Sequence, residues 1–453
     1  MSVILNLWDG MPVLLQELLI ISSLLLPIII TGLILLRGFA PWPLVRALLW
    51  RFSRANLMFV LLIAISVGMG IGLLAQERGL RHGSAKAADK FGLVVAAPGS
   101  DITVMMATVF LQPSKVPLLG PDVFAALSAE KGVQSVTPLA FGDSLASSPV
   151  MGSTAEFVKY LSDGKIEGRI WQNSHEAIVG ASVALQIGQH FTPAHGVPKK
   201  GAMNAEHAEH DGHEEHAGHE NREITVVGRM AFTGTPWDRA IVVPIETIWE
   251  THGKPNGHAP QNQDRIGPPF DLDYFLGSPS LIVQADNLGT YYTLRGKYTT
   301  KGSMAFFPAE VLAKFYSVMG DIRQAMSLMS LVTQILVAAS VLLSLFILTR
   351  LFRRQMALLR ALGAPSRFIV AVIWSYASTL LVAGALGGIL VGLATTFVLS
   401  KFITAQTGIL VNAPLGWSEL HLVAGFISAM GLLALIPAAG VIRQSLVAGL
   451  QAR

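Results

Sequence analysis

The sequence predicts a membrane protein: an α-helical transmembrane bundle of four core spans plus one extra N-terminal span, with a large α+β extracytoplasmic domain between core spans one and two. Two observations carry this reading. Hydrophobic residues fill 52% of the 453 positions and charged ones only 14%, outside the range of ordinary globular domains. A polar stretch from Gln76 to Ala325 separates one long apolar segment from three more. An insulated soluble domain held between a first span and a C-terminal trio reads as an anchored device rather than a simple pore.

Taken in order, Val13–Leu36 is apolar but for Glu17 near one end, with Pro27 inside. It lacks a basic leader and a small-residue cleavage site, so it reads as a span rather than a signal peptide; an interfacial or re-entrant helix is the alternative. Residues 37–54 form a basic amphipathic segment. Ala55–Ala75 carries no charge and, at ~1.5 Å per residue, crosses a ~30 Å hydrocarbon core. The extracytoplasmic domain takes residues 76–325. Residues 326–453 carry the remaining core spans, Met326–Thr349, Phe368–Leu399 and Glu419–Gly440, with a cytoplasmic loop over 350–367.

Arginine placement sets the orientation. Arg37, Arg46, Arg51 and Arg54 precede the first core span, Arg350, Arg353, Arg354, Arg360 and Arg367 fill the short loop, and Arg443 and Arg453 follow the last span. The positive-inside rule places all of them in the cytoplasm, with the large domain outside a bacterial inner membrane and the C-terminus inside. Net charge is +4 with no basic stripe, which gives no support to a nucleic-acid partner. Cysteine is absent, so disulfides and thiolate metal sites are excluded.

Small residues recur at every fourth position in two spans: Ala64, Gly68 and Gly72 in one, Gly384, Gly388 and Gly392 in the other. Such rows let helix backbones approach closely in lipid, within a bundle or across a dimer. The core spans hold essentially no ionisable residue in their interiors, which argues against a substrate route through them.

The external domain alternates strand and helix patterns. Phe91–Ala97, Gly132–Pro138, Ile224–Met230, Ala240–Pro244 and Leu281–Ala285 read as strands, and Pro121–Glu130 and Pro308–Tyr316 as helices. Glu176–Gly188 reads as strand, turn and short helix; Thr233–Pro236 is a turn; Thr251–Pro269 is a Gly/Pro/Asn/Gln-rich, mobile loop. An insertion over 195–221 places His207, His210, His213, His216 and His219 at every third residue among carboxylates. Imidazole and carboxylate together suit Zn²⁺, so this tract is a candidate metal loop, with a tolerated polar insertion as the plain alternative. No cofactor other than that zinc is expected. The chain has no phosphate-binding G-x-x-x-x-G-K-[ST], no H-E-x-x-H and no G-x-S-x-G, so no enzyme is expected.

With the layout in place, Trp42–Arg453 resembles the FtsX/MacB-type, LolC-like ABC permease subunits. The local carriers are Arg353–Arg367 (RRQMALLRALGAPSR), similar to that family's cytoplasmic segment, and Phe91–Ser100 (FGLVVAAPGS). Where the family carries a glutamate, this chain has Gln355 or Met356. The resemblance implies a cytoplasmic ABC ATPase dimer as partner, coupled through Arg353, Met356, Leu359, Arg360, Gly363, Ala364 and Pro365. It also implies a second permease copy or a related permease, and motion delivered to an envelope substrate, lipoprotein or periplasmic binding protein. Thr233–Ala240 and the histidine insertion resemble permeases of zinc-related operons. The competing readings are a zinc importer and a non-transport regulator of a cell-wall hydrolase.

Overall fold

The computed structural model describes residues 10–112, 114–195, 223–318 and 353–442, with single helical residues between 320 and 347. The chain divides into two compact units: Met1–Gly79, Asp321–Lys401 and Asn412–Arg453 form the first, and Leu80–Gly320 with Phe402–Val411 the second. The histidine tract and most of the expected span Met326–Thr349 lie outside the described residues.

The first unit is helical. Four described helices are long and apolar enough to cross a membrane: Val13–Leu36, Ser53–Asp89, Ser366–Thr407 and Trp417–Gly440. Two of them outrun the apolar segments that announce them. Ser53–Asp89 continues 14 residues past Ala75, because Gln76–Asp89 contains good helix formers and no proline. Ser366–Thr407 likewise runs on past Leu399.

The two small-residue rows face each other. A Cβ built on Gly388 would lie 2.6 Å from Val67 Cβ, one on Gly384 2.6 Å from Ile63 Cβ, and one on Gly392 2.7 Å from Ile71 Cγ2. From the opposite side, a Cβ on Gly68 would sit 3.1 Å from the Gly388 carbonyl oxygen. The rows therefore join two helices of one chain. Without side chains, the backbones come close enough for dispersion contacts to replace the hydrophobic effect, which is weak between helices in lipid. Tyr376 adds a buried hydroxyl bond to Asn56 between the same two helices.

The N-terminal helix packs along Trp417–Leu433. Gly32 accommodates the Trp374 ring, Gly431 accommodates Ile28, and the Ser428 hydroxyl donates to the Leu24 carbonyl. Trp374 Nε1 donates to the Gly431 carbonyl at 2.9 Å. Near its start, Glu17 Oε2 lies 2.8 Å from His421 Nε2, though without the alignment of a hydrogen bond. A continuous helix of 24 residues, about 36 Å at the α-helical rise, fits a span better than a re-entrant segment.

The second unit is built on a mixed sheet of eleven strands among the described residues. These are β1 (Leu93–Ala96), β2 (Val133–Leu145), β3 (Ser148–Ser153), β4 (Ile166–Gly168), β5 (Glu176–Val179), β6 (His190–Phe191), β7 (Ala194–His195), β8 (Ile224–Met230), β9 (Ile241–Pro244), β10 (Ser280–Ala285) and β11 (Met304–Phe306). The main order is β11-β1-β10-β2-β3-β9-β5-β8-β4, with β6 on β8 and β7 on β2. Long β2 serves both halves: its first part pairs with β10, its second with β3, and the register shifts between Phe141 and Asp143. Pairs β3–β9 and β5–β8 are parallel, and the rest of the named pairs are antiparallel.

Alternate residues of the central strands enter opposite cores, the period-two consequence of the pleat. Val94, Ala96, Ile282, Met151, Ile178 and Val242 join one cluster with Trp237, Phe91 and Phe157. Leu93, Val95, Leu281, Val283, Val179 and Val243 join the other with Trp249, Phe270 and Phe275. Burial on both faces explains why these strands read as continuous apolar runs.

Two expectations need correction. After β5 the chain makes turns rather than a helix, reaching Gly188 at φ +90. The polar side of residues 181–188 is carried instead by Arg229, whose guanidinium gathers the carbonyls of Gly180, Ala181, Val183 and Leu185. The loop after Thr251 is pinned rather than free. Asn256 and His258 are buried, and Asn256 Nδ2 donates to Glu250 Oε1 at 3.1 Å and to the Gln263 carbonyl at 2.9 Å.

Replacing Gly388 by leucine should separate the two central helices, at the cost of overpacking, about 1–3 kcal/mol. Thermal unfolding of detergent-purified protein should then show a lowered midpoint. Gly425→Ala, where an added Cβ meets nothing within 4 Å, should leave the midpoint unchanged or raise it.

Candidate functional site

The segment expected to couple to a partner forms a short helix, Arg353–Ala361. Its end is a paired cap: the Ala364 N–H donates to the Leu359 carbonyl at 2.9 Å and the Gly363 N–H to the Arg360 carbonyl at 3.0 Å. This geometry needs a left-handed residue after the last turn, and Gly363 supplies it at φ +96. Pro365 then lies just ahead of the helix that starts at Ser366.

The apolar residues of that helix do not form one free face. Ala357 is buried, and Leu359 packs on the cluster of Val45, Leu48 and Ile369. Leu358 and Leu362 are 48% and 84% exposed. The amphipathic helix Trp42–Arg51 buries Val45 and Leu48 in the same cluster and leaves Trp50 77% exposed, with Arg46, Arg51 and Arg54 also exposed. Both helices thus pack on one cluster and leave Leu358, Leu362 and Trp50 exposed, with Arg46, Arg51 and Arg54 exposed beside them in sequence. Of the remaining expected coupling residues, Arg353 and Met356 are placed on the helix by its backbone, and Ala364 and Pro365 follow the cap.

A second constellation lies in the second unit and was not read as a site from the sequence. Here the turn between β8 and β9, Thr233–Arg239, meets the chain segments that begin and close that unit. Asp238, 2% exposed, organises the turn. Its Oδ1 accepts the Thr233 N–H and hydroxyl, both at 2.8 Å, and its Oδ2 accepts the Gly234 N–H at 2.7 Å. Burial pushes the Asp238 carboxyl above the ordinary aspartate range, while the N–H and hydroxyl donors from Thr233, Gly234 and Thr235 oppose the shift. Burial alone lowers the neighbouring Arg239.

Fully buried Trp237 locks the turn to the core: its Nε1 donates to the Thr108 carbonyl at 3.3 Å, and its ring packs on Phe157 and Phe91. Gly234, at φ +73, brings the chain against Lys86 and Leu410, and its carbonyl accepts the Leu410 N–H at 3.2 Å. Arg239 Nη1 donates to the Gln406 carbonyl at 3.1 Å. A Cβ on Gly83 would lie 2.5 Å from the Leu410 carbonyl oxygen. The C-terminal ends of helices Ser53–Asp89 and Ser366–Thr407 are thus both fastened at one turn. The sequence signal was present in Thr233–Ala240 (TGTPWDRA), but it marked a turn and gave no clue to which distant segments would meet there.

In the first unit, Glu419 is wholly buried in the first turn of Trp417–Leu433. It accepts the Gly416 N–H at 2.9 Å and both terminal nitrogens of Arg78, at 3.1 and 2.9 Å. Arg78 also donates to the Pro414 carbonyl at 2.7 Å. A buried carboxylate that is forked and capped in this way is structural: losing one partner leaves the other charge unpaired.

The expected metal ligands His207, His210, His213, His216 and His219 lie outside the described residues. Among the described residues, no group of three or more His, Cys, Asp or Glu side chains is arranged to hold a metal ion. Of the six expected helix-packing residues, Gly68, Gly384, Gly388 and Gly392 lie at the close contacts described above, and a Cβ on Gly72 would meet only Thr395 Cγ2, at 3.8 Å.

No protein-family model matches this chain, and no curated protein matches it. Among solved structures, it is similar to the periplasmic region of MacB from Actinobacillus actinomycetemcomitans, with TM-score 0.30 and 11% identity over 51% of this chain and 94% of that one. At that score and identity, the likeness assigns neither fold nor function.

Asp238→Asn replaces one acceptor oxygen by a donor, leaving a Thr233 or Gly234 N–H unpaired at a cost of about 1–3 kcal/mol. The raised carboxyl contributes stability that is full below the ordinary aspartate pKa and is lost as pH rises through the raised value. The margin in thermal midpoint of wild type over Asp238→Asn should therefore narrow from acid toward neutral pH. A margin that widens over that range would assign the bonds chiefly to the ionised form.

Proposed function

We propose that the chain is the permease subunit of an ABC transporter that passes ATP-driven motion from separate cytoplasmic ATPase subunits to an extracytoplasmic domain. The observation that carries this reading is the fastening of two long helices. Ser53–Asp89 and Ser366–Thr407 lock together through their small-residue rows, and each ends on the Thr233–Arg239 turn. Helices joined along their length move as a body, so a displacement at one end reaches the other with little loss.

The basic surface of Leu358, Leu362, Trp50, Arg46 and Arg51 supplies the input end. Exposed leucine and tryptophan set among arginines suit a groove with an apolar floor and acidic rim, the complement expected of an ATPase partner. Leu359, half-buried on Val45 and Ile369, ties this surface to the bundle, so that a push on the helix is a push on the spans. Arginine placement supports a cytoplasmic side for these residues and a periplasmic side for the sheet unit. A second permease copy and an envelope substrate or lipoprotein partner complete the reading.

Transport of a metal through the spans is the less favoured reading. Several polar groups buried in the described helices hold them together, Asn56 with Tyr376, Ser428 with the Leu24 carbonyl and Glu419 with Arg78, while the Ser375, Ser378 and Thr396 hydroxyls are buried without a partner among the described residues. The coupling reading does not depend on zinc. Zn²⁺ binding by the histidine tract would be a separate property of that insertion.

Two experiments test this. The absence of native cysteine permits single-cysteine labelling: Ser147→Cys, exposed on the sheet unit, should react with an impermeant thiol reagent in intact cells, while exposed Ala361→Cys should not. Labelling at position 361 from outside would reverse the orientation. Tagged protein should co-purify an ATP-binding subunit whose ATPase rate depends on the permease. Arg360→Glu and Gly363→Pro should cut that dependence at least about tenfold, a loss on the order of 1.4 kcal/mol of coupling, without loss of the protein from the membrane. Retained coupling in both would move the input surface away from this helix.

A further inference from the structure

A cleft of about 820 Å³ opens in the second unit between helix Ile245–Thr251, the loop at Gln172–His175 and the loop that follows Thr251. Its size lies within the ~300–1,000 Å³ typical of ligand pockets. Its walls are fixed. The Thr247 hydroxyl donates to the Ser174 carbonyl at 2.6 Å, Asn256 bridges Glu250 and the Gln263 carbonyl, and the His258 ring lies on Phe270 at 5.5 Å.

The charges of the cleft are unbalanced by position. Glu246, 1% exposed, lines it from the helix. Its Oε1 accepts the Gly267 N–H at 2.6 Å and stands 3.4 Å from His258 Nε2, while its Oε2 has no hydrogen-bond partner. A buried carboxylate oxygen left without a donor costs free energy that a bound cation would recover. Glu250 adds a second carboxylate to the same lining. On the rim, Lys254 and Arg265 are exposed, with the exposed carboxylate of Asp264 also on the lining, and the two cations form no ion pair among the described residues. The amide side chains of Gln172 and Gln263 also line the space.

Acid within, base at the rim and amides between them complement one chemistry: a molecule with a cation at one end, an anion at the other and amide groups along its length. We propose that this cleft binds a short peptide with free termini, its ammonium taken by Glu246 and Glu250 and its carboxylate by Lys254 and Arg265. A bare divalent cation does not fit, because no three ligand-type side chains converge among the described residues. A single amino acid would leave most of the volume to water. The proposal is independent of ATPase coupling and stands or falls without it.

Calorimetry on the full-length detergent-purified protein tests it with trialanine as the probe and N-acetyl-trialanine amide, which lacks both charges, as the comparison. Trialanine should bind saturably, and the capped peptide at least about tenfold more weakly. Arg265→Ala should weaken trialanine by about tenfold or more while leaving the thermal midpoint unchanged, and Glu250→Gln, which keeps an acceptor oxygen for Asn256, should weaken it by a similar factor. Glu246→Gln should do the same where it folds. No saturable binding of trialanine into the millimolar range, equal binding of the capped peptide, or unchanged affinity in both the Glu250 and the Arg265 variant would overturn the proposal.

Discussion

Two rows of residues without bulky side chains hold the first unit together, and the rest of its geometry follows from their contact. In lipid, apolar side chains gain little by leaving the solvent for each other, so helices associate where their backbones can come close. Gly384, Gly388 and Gly392 receive Ile63, Val67 and Ile71, and Gly68 is received in turn beside the Gly388 carbonyl. The contacts at Gly68, Gly384, Gly388 and Gly392 are tight, while a Cβ on Gly72 would meet only Thr395 Cγ2, at 3.8 Å. The pair therefore behaves as one stiff element. The N-terminal helix and Trp417–Leu433 are held to each other and to Trp374 by the same device on a smaller scale, with Gly32 and Gly431 as the receiving positions.

Stiffness along the helices matters only if something is attached to their ends. In the second unit, the residues after Gly79 and after Lys401 do not peel away into loops. Gln406 and Leu410 are hydrogen-bonded to a single turn and Lys86 packs against it; in that turn Asp238 replaces regular backbone pairing and Trp237 inserts into the core between Phe157 and Phe91. Burying a carboxylate beside three donors is costly unless all are satisfied, and here the turn itself supplies them. Such a junction resists local deformation.

The cleft beside Glu246 contrasts with that junction. Asp238 spends both oxygens on its own turn, as does Glu419 on Arg78 and Gly416. Glu246 spends only one. Of these three buried carboxylates, two complete their hydrogen bonding within the fold and one does not. The distinction rests on hydrogen-bond completeness rather than on burial, since all three are nearly or wholly inaccessible.

Much of the architecture was legible in the sequence because lipid imposes a length and a composition on each span, and because strands buried on both faces must be apolar throughout. Val13–Leu36, the rows at Gly68 and Gly388, β1 from Leu93, β8 from Ile224 and the cap at Gly363 all follow from local pattern. What local pattern missed has a common cause. The helices run on past their apolar stretches because helix propensity does not stop at the membrane. The stretch after β5 fails to form a helix because Arg229, from another strand, takes its carbonyls. The loop after Thr251 is fixed by Asn256 and His258, whose partners are side chains rather than neighbours in a repeating pattern. The sequence alone determined the spans, their orientation signals and the two small-residue rows, because these depend on residue type at fixed spacing. Only the tertiary structure decided that the rows meet each other, that Leu359 faces inward while Leu358 and Leu362 face out, and that residues 83–86, 233–239 and 406–410 share one junction. Those outcomes depend on which distant segments compete for the same donors and the same space, and no periodicity encodes that.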